Sequence, residues 1–259
     1  MTRTTDVSVE DCVATVSRVF DGVFERIGGW RAAVERRASN TDGKLTRAVI
    51  DSLVENLVIP EFSRDGSFTI GAGFVAAPGL ISDAQWHLAW WLGDLNTFGM
   101  GSDAPHIRRL EAVEDPAAES FRDYTTLEWW RVPTSTGLRH ITGPYVDYLC
   151  TDEYTLTLTE PVFLRGETIG VVGADLYVED LERVLLPELR AVGSSVTLVN
   201  SAGRVVLSTD VHLATGALLR LDGWAEALRT GVTDISSLDS GHTVVRCADT
   251  GLALVVSRS

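Results

Sequence analysis

The sequence predicts an α+β fold with a long N-terminal helix and two lobes built on antiparallel sheets. Apolar residues recur at helical spacing between Val9 and Leu57. From Gly66 onward the pattern changes to short apolar runs broken by glycine and proline, which is typical of antiparallel strands joined by tight turns. We therefore expect a helical segment over residues 1–62, a first lobe over 63–178, and a connecting helix with a smaller second lobe over 179–259.

The N-terminal helix is predicted from a capping pair, Ser8 and Asp11, followed by apolar residues at alternating intervals of four and three. Such a seam fits either the body of the same chain or the same helix of a second copy, so intramolecular packing and a homodimer both remain open. Gly28 and Gly29 are expected to bend or end the helix. The seam residues are Val9, Val13, Val16, Phe20, Val23, Ile27, Trp30 and Val34.

Later elements follow from the same patterns. A second helix, marked by Leu45 to Leu57, should be closed by Pro60. A further helix is expected over residues 117–130, with Pro133 preventing much continuation, and an amphipathic helix over 178–192 should connect the lobes. In the second lobe we expect a strand-turn-strand unit over 195–208, a short helix over 224–229 and two terminal strands.

Composition excludes several classes of function. Acidic residues outnumber basic ones 36 to 22, and the net charge of −14 repels phosphate backbones, so we expect no nucleic-acid partner. Three widely spaced cysteines without a CxxC pair support neither a disulfide framework nor a zinc site. The N-terminus lacks the apolar core of a signal peptide, and no stretch is suited to span a membrane. We expect a soluble, cytoplasmic protein without a membrane partner.

The strand predicted over residues 168–176 carries the strongest functional signal. Side chains alternate between its faces, so Val171, Gly173 and Asp175 share one side with Ile169. An aspartate that continues an apolar face is costly unless a cation or several donors meet it. Gly173 leaves room for another group to approach the backbone. The strand over 154–159 has one polar face and should pair with it, which predicts a small pocket with an acidic floor.

Three segments in this order carry a family resemblance: Trp129-Trp130, residues 143–147 with the sequence Gly-Pro-Tyr-Val-Asp, and residues 170–176 with the sequence Gly-Val-Val-Gly-Ala-Asp-Leu. Together with the order of elements, they resemble the double Cache ligand-sensing domain, which implies that the two lobes are PAS-like. The resemblance covers most of the chain and is greatest for members that bind amines or amino acids. It implies a ligand pocket in the first lobe and a stand-alone sensor that is not an enzyme and needs no cofactor.

The resemblance also implies which residues bind the ligand. Trp129 matches the tryptophan of the family pattern, Tyr145 and Asp147 match its Tyr-x-Asp, and Asp175 matches the strand aspartate. Leu127 stands where the family has the arginine that holds the ligand's carboxylate. The position of an upstream tyrosine is taken by Arg122, and the neighbouring tyrosine is close enough to substitute. The aromatic residues Tyr124, Trp130 and Trp91 complete the predicted binding set.

The missing arginine indicates the class of ligand. A carboxylate needs a bidentate donor such as arginine, whereas an ammonium group needs carboxylates, tyrosine hydroxyls and an aromatic face. The residues present match the second set. We therefore expect an amine without a clamped α-carboxylate, such as a polyamine, a biogenic amine, an ω-amino acid or a quaternary amine. The partners expected are this amine, a second copy bound through the N-terminal helix, and an unidentified regulator or transporter.

Two alternatives to the amine sensor remain. The chain could be a degenerate Cache scaffold that binds only protein, with the pocket filled by aromatic residues such as Trp91 or Trp130. It could also be an enzyme of amine metabolism with Asp147 or Asp175 as a base, although its five histidines are scattered and match no catalytic motif.

Overall fold

The computed structural model describes residues 7–41, 44–96, 106–146, 151–220, 236–237 and 241–257. The helices are α1 (Val9–Asn40), α2 (Arg47–Phe62), α3 (Glu128–Thr136) and α4 (Val178–Ala191). The strands of the first lobe are β1 (Thr69–Ala76), β2 (Leu88–Leu92), β3 (Arg108–Arg109), β4 (His140–Val146), β5 (Tyr154–Leu164) and β6 (Glu167–Tyr177). Those of the second lobe are β7 (Ser195–Asn200), β8 (Val205–Ser208), β9 (Ser236–Ser237), β10 (His242–Arg246) and β11 (Leu252–Ser257).

Each lobe contains one antiparallel sheet. The first has the strand order β3-β2-β1-β6-β5-β4, and the second has the order β8-β7-β11-β10-β9. The predicted α+β class, with a long N-terminal helix and two antiparallel sheets, is confirmed. The predicted pairing of β5 with β6 is also present, and it places Thr157 directly opposite Asp175. The short helix expected over residues 224–229 lies outside the described residues.

The long helix α1 packs along the first-lobe sheet. Ser8 caps it by accepting a hydrogen bond from the backbone N–H of Asp11. The expected break at Gly28-Gly29 is wrong, because α1 is continuous through both glycines. A Cβ atom on Gly28 would lie 3.7 Å from Glu160 Oε2, so this glycine is the point where α1 comes close to β5. Most of the apolar seam is buried against the chain's own core. A dimer through α1 stays a prediction, and it would have to use another face of the helix.

Two prolines expected to end helices lie inside them. Pro60 falls within α2, which continues to Phe62, and Pro133 falls within α3. Proline removes one backbone donor but does not prevent the residues after it from remaining helical. The helix expected over residues 117–130 is also wrong: Asp123 caps a 3₁₀ turn at Tyr124–Thr126, and α3 begins only at Glu128.

Among the described residues, no helix has the length and apolar character needed to cross a lipid bilayer.

The helices carry buried polar side chains that bind one another. The carboxylate of Glu61 is 5% exposed and accepts hydrogen bonds from Arg64 and Ser67, while Arg26 of α1 forms an ion pair with it at 2.9 Å. Burial by itself would raise the pKa of Glu61, but the hydrogen bonds and the two guanidinium charges outweigh burial and lower it.

Glu160 is the opposite case. Its pKa is raised, chiefly by burial, although the positive charges of Arg31 and Arg139 oppose the shift. Its Oε2 atom lies 3.2 Å from Arg31 Nη1 and has no hydrogen-bond partner. The two glutamates are therefore buried to a similar degree, but neighbouring groups compensate the negative charge of Glu61 more completely than that of Glu160.

We predict that Glu61→Gln lowers the free energy of unfolding at neutral pH by about 2 kcal/mol, because Arg64, Ser67 and Arg26 lose a charged acceptor that is buried. The folded-state pKa of Glu61 is depressed, so its contribution is present above its unfolded pKa and is lost as the pH falls through the folded value. The variant should therefore lose less stability than the wild type on acidification below about pH 4.5.

The matched control is Glu160→Gln, measured by the same denaturant titrations at several pH values. Its unfolding free energy should stay within about 1 kcal/mol of the wild type at neutral pH, because the change removes an incompletely compensated charge. Equal destabilisation by the two variants would contradict the difference in charge compensation.

Candidate functional site

With the exception of Trp91, the predicted pocket residues that the structure describes lie on the face of the first-lobe sheet that points away from α1. Val75, Trp90 and Val171 on this face pack with Tyr124 and Trp130 in a cluster separate from the main core. The opposite face, with Ala72, Phe74 and Leu158, belongs to the main core under the helices. The sheet thus has one face covered by helices and one covered by aromatic side chains.

Asp175 lies within this aromatic face, at 5% exposure. Its cross-strand neighbours are Gly71 on β1 and Thr157 on β5. The Thr157 hydroxyl donates a hydrogen bond to Asp175 Oδ1 at 2.6 Å, and the Tyr145 hydroxyl lies 2.7 Å from the same Thr157 oxygen. The structure therefore joins Asp175 and Tyr145, two predicted site residues, through a threonine that sequence analysis did not single out.

The direction of these hydrogen bonds is set by the carboxylate. An ionised carboxylate only accepts, so Thr157 donates its single proton to Asp175 and must accept one from Tyr145. The Tyr145 oxygen keeps acceptor capacity after donating its proton. The Tyr145–Thr157–Asp175 chain consequently presents oxygen acceptors, which is the chemistry that binds an ammonium group.

Three glycines on this face lie under an aromatic ring, so the space above them is filled. An added Cβ on Gly71, Gly73 or Gly173 would lie 2.9, 2.9 and 3.5 Å from atoms of the Trp90 indole. Gly173 leaves room for another group to approach the backbone, as expected, and the space over the glycines is occupied by the indole of Trp90. The position of a Gly71 Cβ is also 3.2 Å from Asp175 Oδ2, so the indole N–H and the carboxylate lie close to the same point.

The other aromatic residues form a wall on the same face of the sheet. Tyr124 stacks on Trp129 with ring centroids 6.2 Å apart and packs against Trp130 at 5.2 Å. The backbone carbonyl of Trp129 accepts a hydrogen bond from Thr159, two residues from Thr157 on β5. Trp129 is only half-buried, whereas Trp130 and Tyr124 are buried. Of the three, Trp129 has the most surface to offer a ligand.

Two predicted site residues are not brought to this cluster. Trp91 pairs with Ala72 and belongs to the core under the helices, so its assignment to the pocket is wrong. The physical reason is strand alternation: Trp90 and Trp91 are adjacent, so only one can face the site. Asp147 lies outside the described residues, and its role stays a prediction.

Two residues near the site bear on the recognition of carboxylates. Leu127 is 40% exposed and immediately precedes α3, so no buried contact requires a leucine there. Arg108 pairs with Leu92, which pairs with Gly71, so it shares the cross-strand row of Asp175 three strands away. Its guanidinium donates to the backbone and side-chain oxygens of the buried Asn96 at 3.0 Å. Sequence analysis missed Arg108 because β3 has only two residues.

Metal chemistry finds no support in the part of the chain that is described. No group of three or more histidine, cysteine, aspartate or glutamate side chains is placed to hold a metal ion there.

Solved structures similar to this chain are sensor domains. They include methyl-accepting chemotaxis protein X, with a TM-score of 0.54, 18% identity and 96% coverage of both chains. The chain has a double Cache fold. Another similar structure is the ligand-binding domain of the Pseudomonas fluorescens chemoreceptor CtaA, solved with L-valine. Its TM-score is 0.58 at 16% identity, and the match covers 96% of this chain and 92% of that chain.

A third similar structure is the ligand-binding domain of the Pseudomonas aeruginosa chemoreceptor PctC in complex with GABA. Its TM-score is 0.53 at 18% identity, with 95% of this chain and 94% of that chain covered. Residues 102–183 match the family model described as the first PDC sensor domain of methyl-accepting chemotaxis protein-like proteins. That range contains the double Cache strands β4, β5 and β6, which carry Tyr145, Thr157 and Asp175. No curated protein sequence matches the chain.

The two described tyrosines of the predicted site should behave differently when their hydroxyls are removed. The Tyr124 hydroxyl donates to the Ala76 carbonyl at 2.6 Å, and burial raises the pKa of Tyr124 to about 12. We predict that Tyr124→Phe lowers the free energy of unfolding by about 1 kcal/mol, because a buried acceptor loses its donor. Tyr145→Phe should cost less, since Tyr145 is only half-buried. Chemical denaturation of both variants measures this, and a larger cost for Tyr145→Phe would contradict it.

Proposed function

We propose that this protein is a non-catalytic sensor that binds a small amine in its first lobe and signals through a partner. The proposal depends on one observation: Asp175, at 5% exposure, heads a chain of oxygen acceptors beside an aromatic wall. Carboxylate and hydroxyl oxygens bind an ammonium group by hydrogen bonds, and an aromatic face adds cation–π attraction. A cation also offsets the cost of burying the carboxylate.

The ligand class follows from the donors near this chain. An α-amino acid needs a partner for its carboxylate close to its ammonium group, and Leu127 cannot supply one. The backbone of Arg108 is three strands from that of Asp175, about 14 Å at ordinary strand spacing, and its guanidinium donates to the oxygens of Asn96. We therefore propose an amine that carries no α-carboxylate. GABA, the ligand in the PctC structure, has its carboxylate away from the amine and belongs to this class.

A protein-binding scaffold is the second candidate, and Trp90 favours it. The indole covers Gly71, Gly73 and Gly173, so ligand entry over these glycines requires Trp90 to move. The identity of the signalling partner, the homodimer and the cytoplasmic location remain predictions from the sequence.

Thermal unfolding against putrescine, GABA, choline and L-valine tests the sensor proposal. At a concentration of one hundred times Kd, a ligand adds about 2.7 kcal/mol of stability, roughly a 5–10 °C rise in Tm for a chain of this size. We expect at least one of the first three compounds to raise Tm, with L-valine having no effect. If none of the four compounds shifts Tm, the scaffold is favoured.

Three variants locate the binding site in the same assay. Asp175→Asn, which keeps the shape of the side chain and removes its charge, should abolish the rise in Tm caused by the amine. Asp152→Asn makes the same change at an exposed loop residue and should respond as the wild type does. Tyr124→Phe should retain the response, because its hydroxyl is bonded to Ala76. A full response by Asp175→Asn would contradict this binding mode.

Introducing arginine at the exposed position 127 tests the ligand class from the other direction. We predict that Leu127→Arg adds binding of L-valine without loss of folding, because the new guanidinium can hold an α-carboxylate bidentately. Leu127→Lys is the matched control, since it adds the same charge without the planar fork, and it should bind L-valine more weakly. Isothermal titration measures both affinities. No detectable binding by Leu127→Arg would contradict the proposed role of this position.

A further inference from the structure

The turn between β7 and β8 in the second lobe is built around the side chain of Asn200. Its Oδ1 atom accepts hydrogen bonds from the backbone N–H groups of Ala202 and Arg204 at 3.0 and 2.9 Å. Its backbone carbonyl accepts a hydrogen bond from Gly203. Asn200 is 8% exposed, so its amide is a buried part of the turn. One half of this amide therefore fixes the conformation of the second lobe's hairpin.

The other half of the same amide reaches the first lobe. Asn200 Nδ2 donates a hydrogen bond to the backbone carbonyl of Gly143 at 2.5 Å. Gly143 lies in β4 where the pairing with β5 shifts register between Thr142 and Tyr145. It has a φ of 109°, and an added Cβ would lie 2.6 Å from the Thr155 carbonyl oxygen, so only glycine fits this irregularity.

This irregularity determines where Tyr145 lies. Past the register shift Tyr145 pairs with Thr155, and its hydroxyl reaches Thr157, which binds Asp175. Asn200 holds the carbonyl two residues before Tyr145. The path from the Asn200 side chain to the Asp175 carboxylate thus consists of the backbone of β4 up to Tyr145 and of the side-chain hydrogen bonds that join Tyr145, Thr157 and Asp175.

From these contacts we infer that Asn200 is a positioning residue for Tyr145, through which the second lobe and the ligand site of the first lobe influence each other. This inference deepens the proposed amine-binding function and rests on it for its ligand. An amine that binds Tyr145 favours one position of the Gly143 carbonyl and hence one state of the Asn200 turn. Because linkage is reciprocal, a change in that turn alters the affinity for the amine by the same factor.

Asn200→Asp separates the two halves of the amide. The aspartate keeps an oxygen to accept from Ala202 and Arg204, but its second oxygen faces the Gly143 carbonyl and cannot donate. The turn should persist while the bond between lobes is lost. Asn200→Ser is the second variant, since a serine can still accept from the turn but is too short to reach Gly143. If Asn200→Asp does not fold, Asn200→Ser still tests whether the bond to Gly143 positions Tyr145.

Arg139→Ala is the matched control. Arg139 also joins the lobes, because its guanidinium donates to the Asp249 carbonyl of the second lobe and to Asp21 of α1. It lies six residues before Tyr145 and outside the chain of hydrogen bonds that leads to Asp175. This variant therefore weakens contact between the lobes without removing the bond that holds Gly143.

The first measurement needs no ligand. In protein labelled with 3-fluorotyrosine, the Tyr145 ¹⁹F resonance is assigned by its loss in Tyr145→Phe. It should shift or broaden in Asn200→Asp and in Asn200→Ser, while the Tyr124 resonance stays unchanged. Arg139→Ala should leave both resonances at their wild-type positions. An unchanged Tyr145 resonance in a folded Asn200 variant would overturn the inference.

The second measurement is the Kd for putrescine and GABA by isothermal titration. Asn200→Asp should weaken binding of the amine that the wild type accepts by about tenfold, within the usual range of coupling between sites. Arg139→Ala should stay within about twofold. Unchanged Kd in Asn200→Asp, with a shifted Tyr145 resonance, would overturn the coupling. If the wild type binds neither these two amines nor choline, the proposed function fails, and the ligand-free spectrum still decides whether Asn200 positions Tyr145.

Discussion

The burial of a carboxylate on an otherwise aromatic sheet face is the constraint on which the first lobe depends. Thr157 lies directly opposite Asp175 on the neighbouring strand, and the hydrogen bond that it donates lowers the cost of burying the carboxylate. The two residues belong to the long ladder between β5 and β6, which has one register shift between Val162 and Phe163, and α1 packs on both strands. The polar site and the apolar core therefore specify the same alignment of strands from opposite faces.

Much of this arrangement could be predicted from local patterns. Period-two alternation is a property of a single strand, so the direction of Asp175 and the polar face of β5 could be derived before any pairing was known. Amphipathic spacing likewise identified α1 and α4, because a helix reports its buried face in its own sequence. The continuity of α1 through Gly28-Gly29 could not be derived, since it depends on the approach of β5 to that face.

The features that were missed all depend on contacts between distant segments. Trp90 and Trp91 are equivalent in sequence, and only the pairing of β2 with the glycines of β1 decides which of them covers the site. Arg108 lies in the cross-strand row of Asp175 only through three successive strand pairings. In the sequence, Asn200 looks like an ordinary turn residue. The hydrogen bond that its Nδ2 atom donates goes to the carbonyl of a residue 57 positions earlier in the chain.

The continuity of α1 has a mechanical consequence. At 32 residues it is about 48 Å long, and it contacts β5 and β6 of the first lobe, the connecting helix α4, and the 3₁₀ turn Ala248–Thr250 of the second lobe. A continuous helical rod fastened to both lobes does not lengthen or fold when the angle between them changes. Any rotation of one lobe against the other must instead appear as sliding or tilting along this rod, which turns a small internal rearrangement into a displacement of the whole helix.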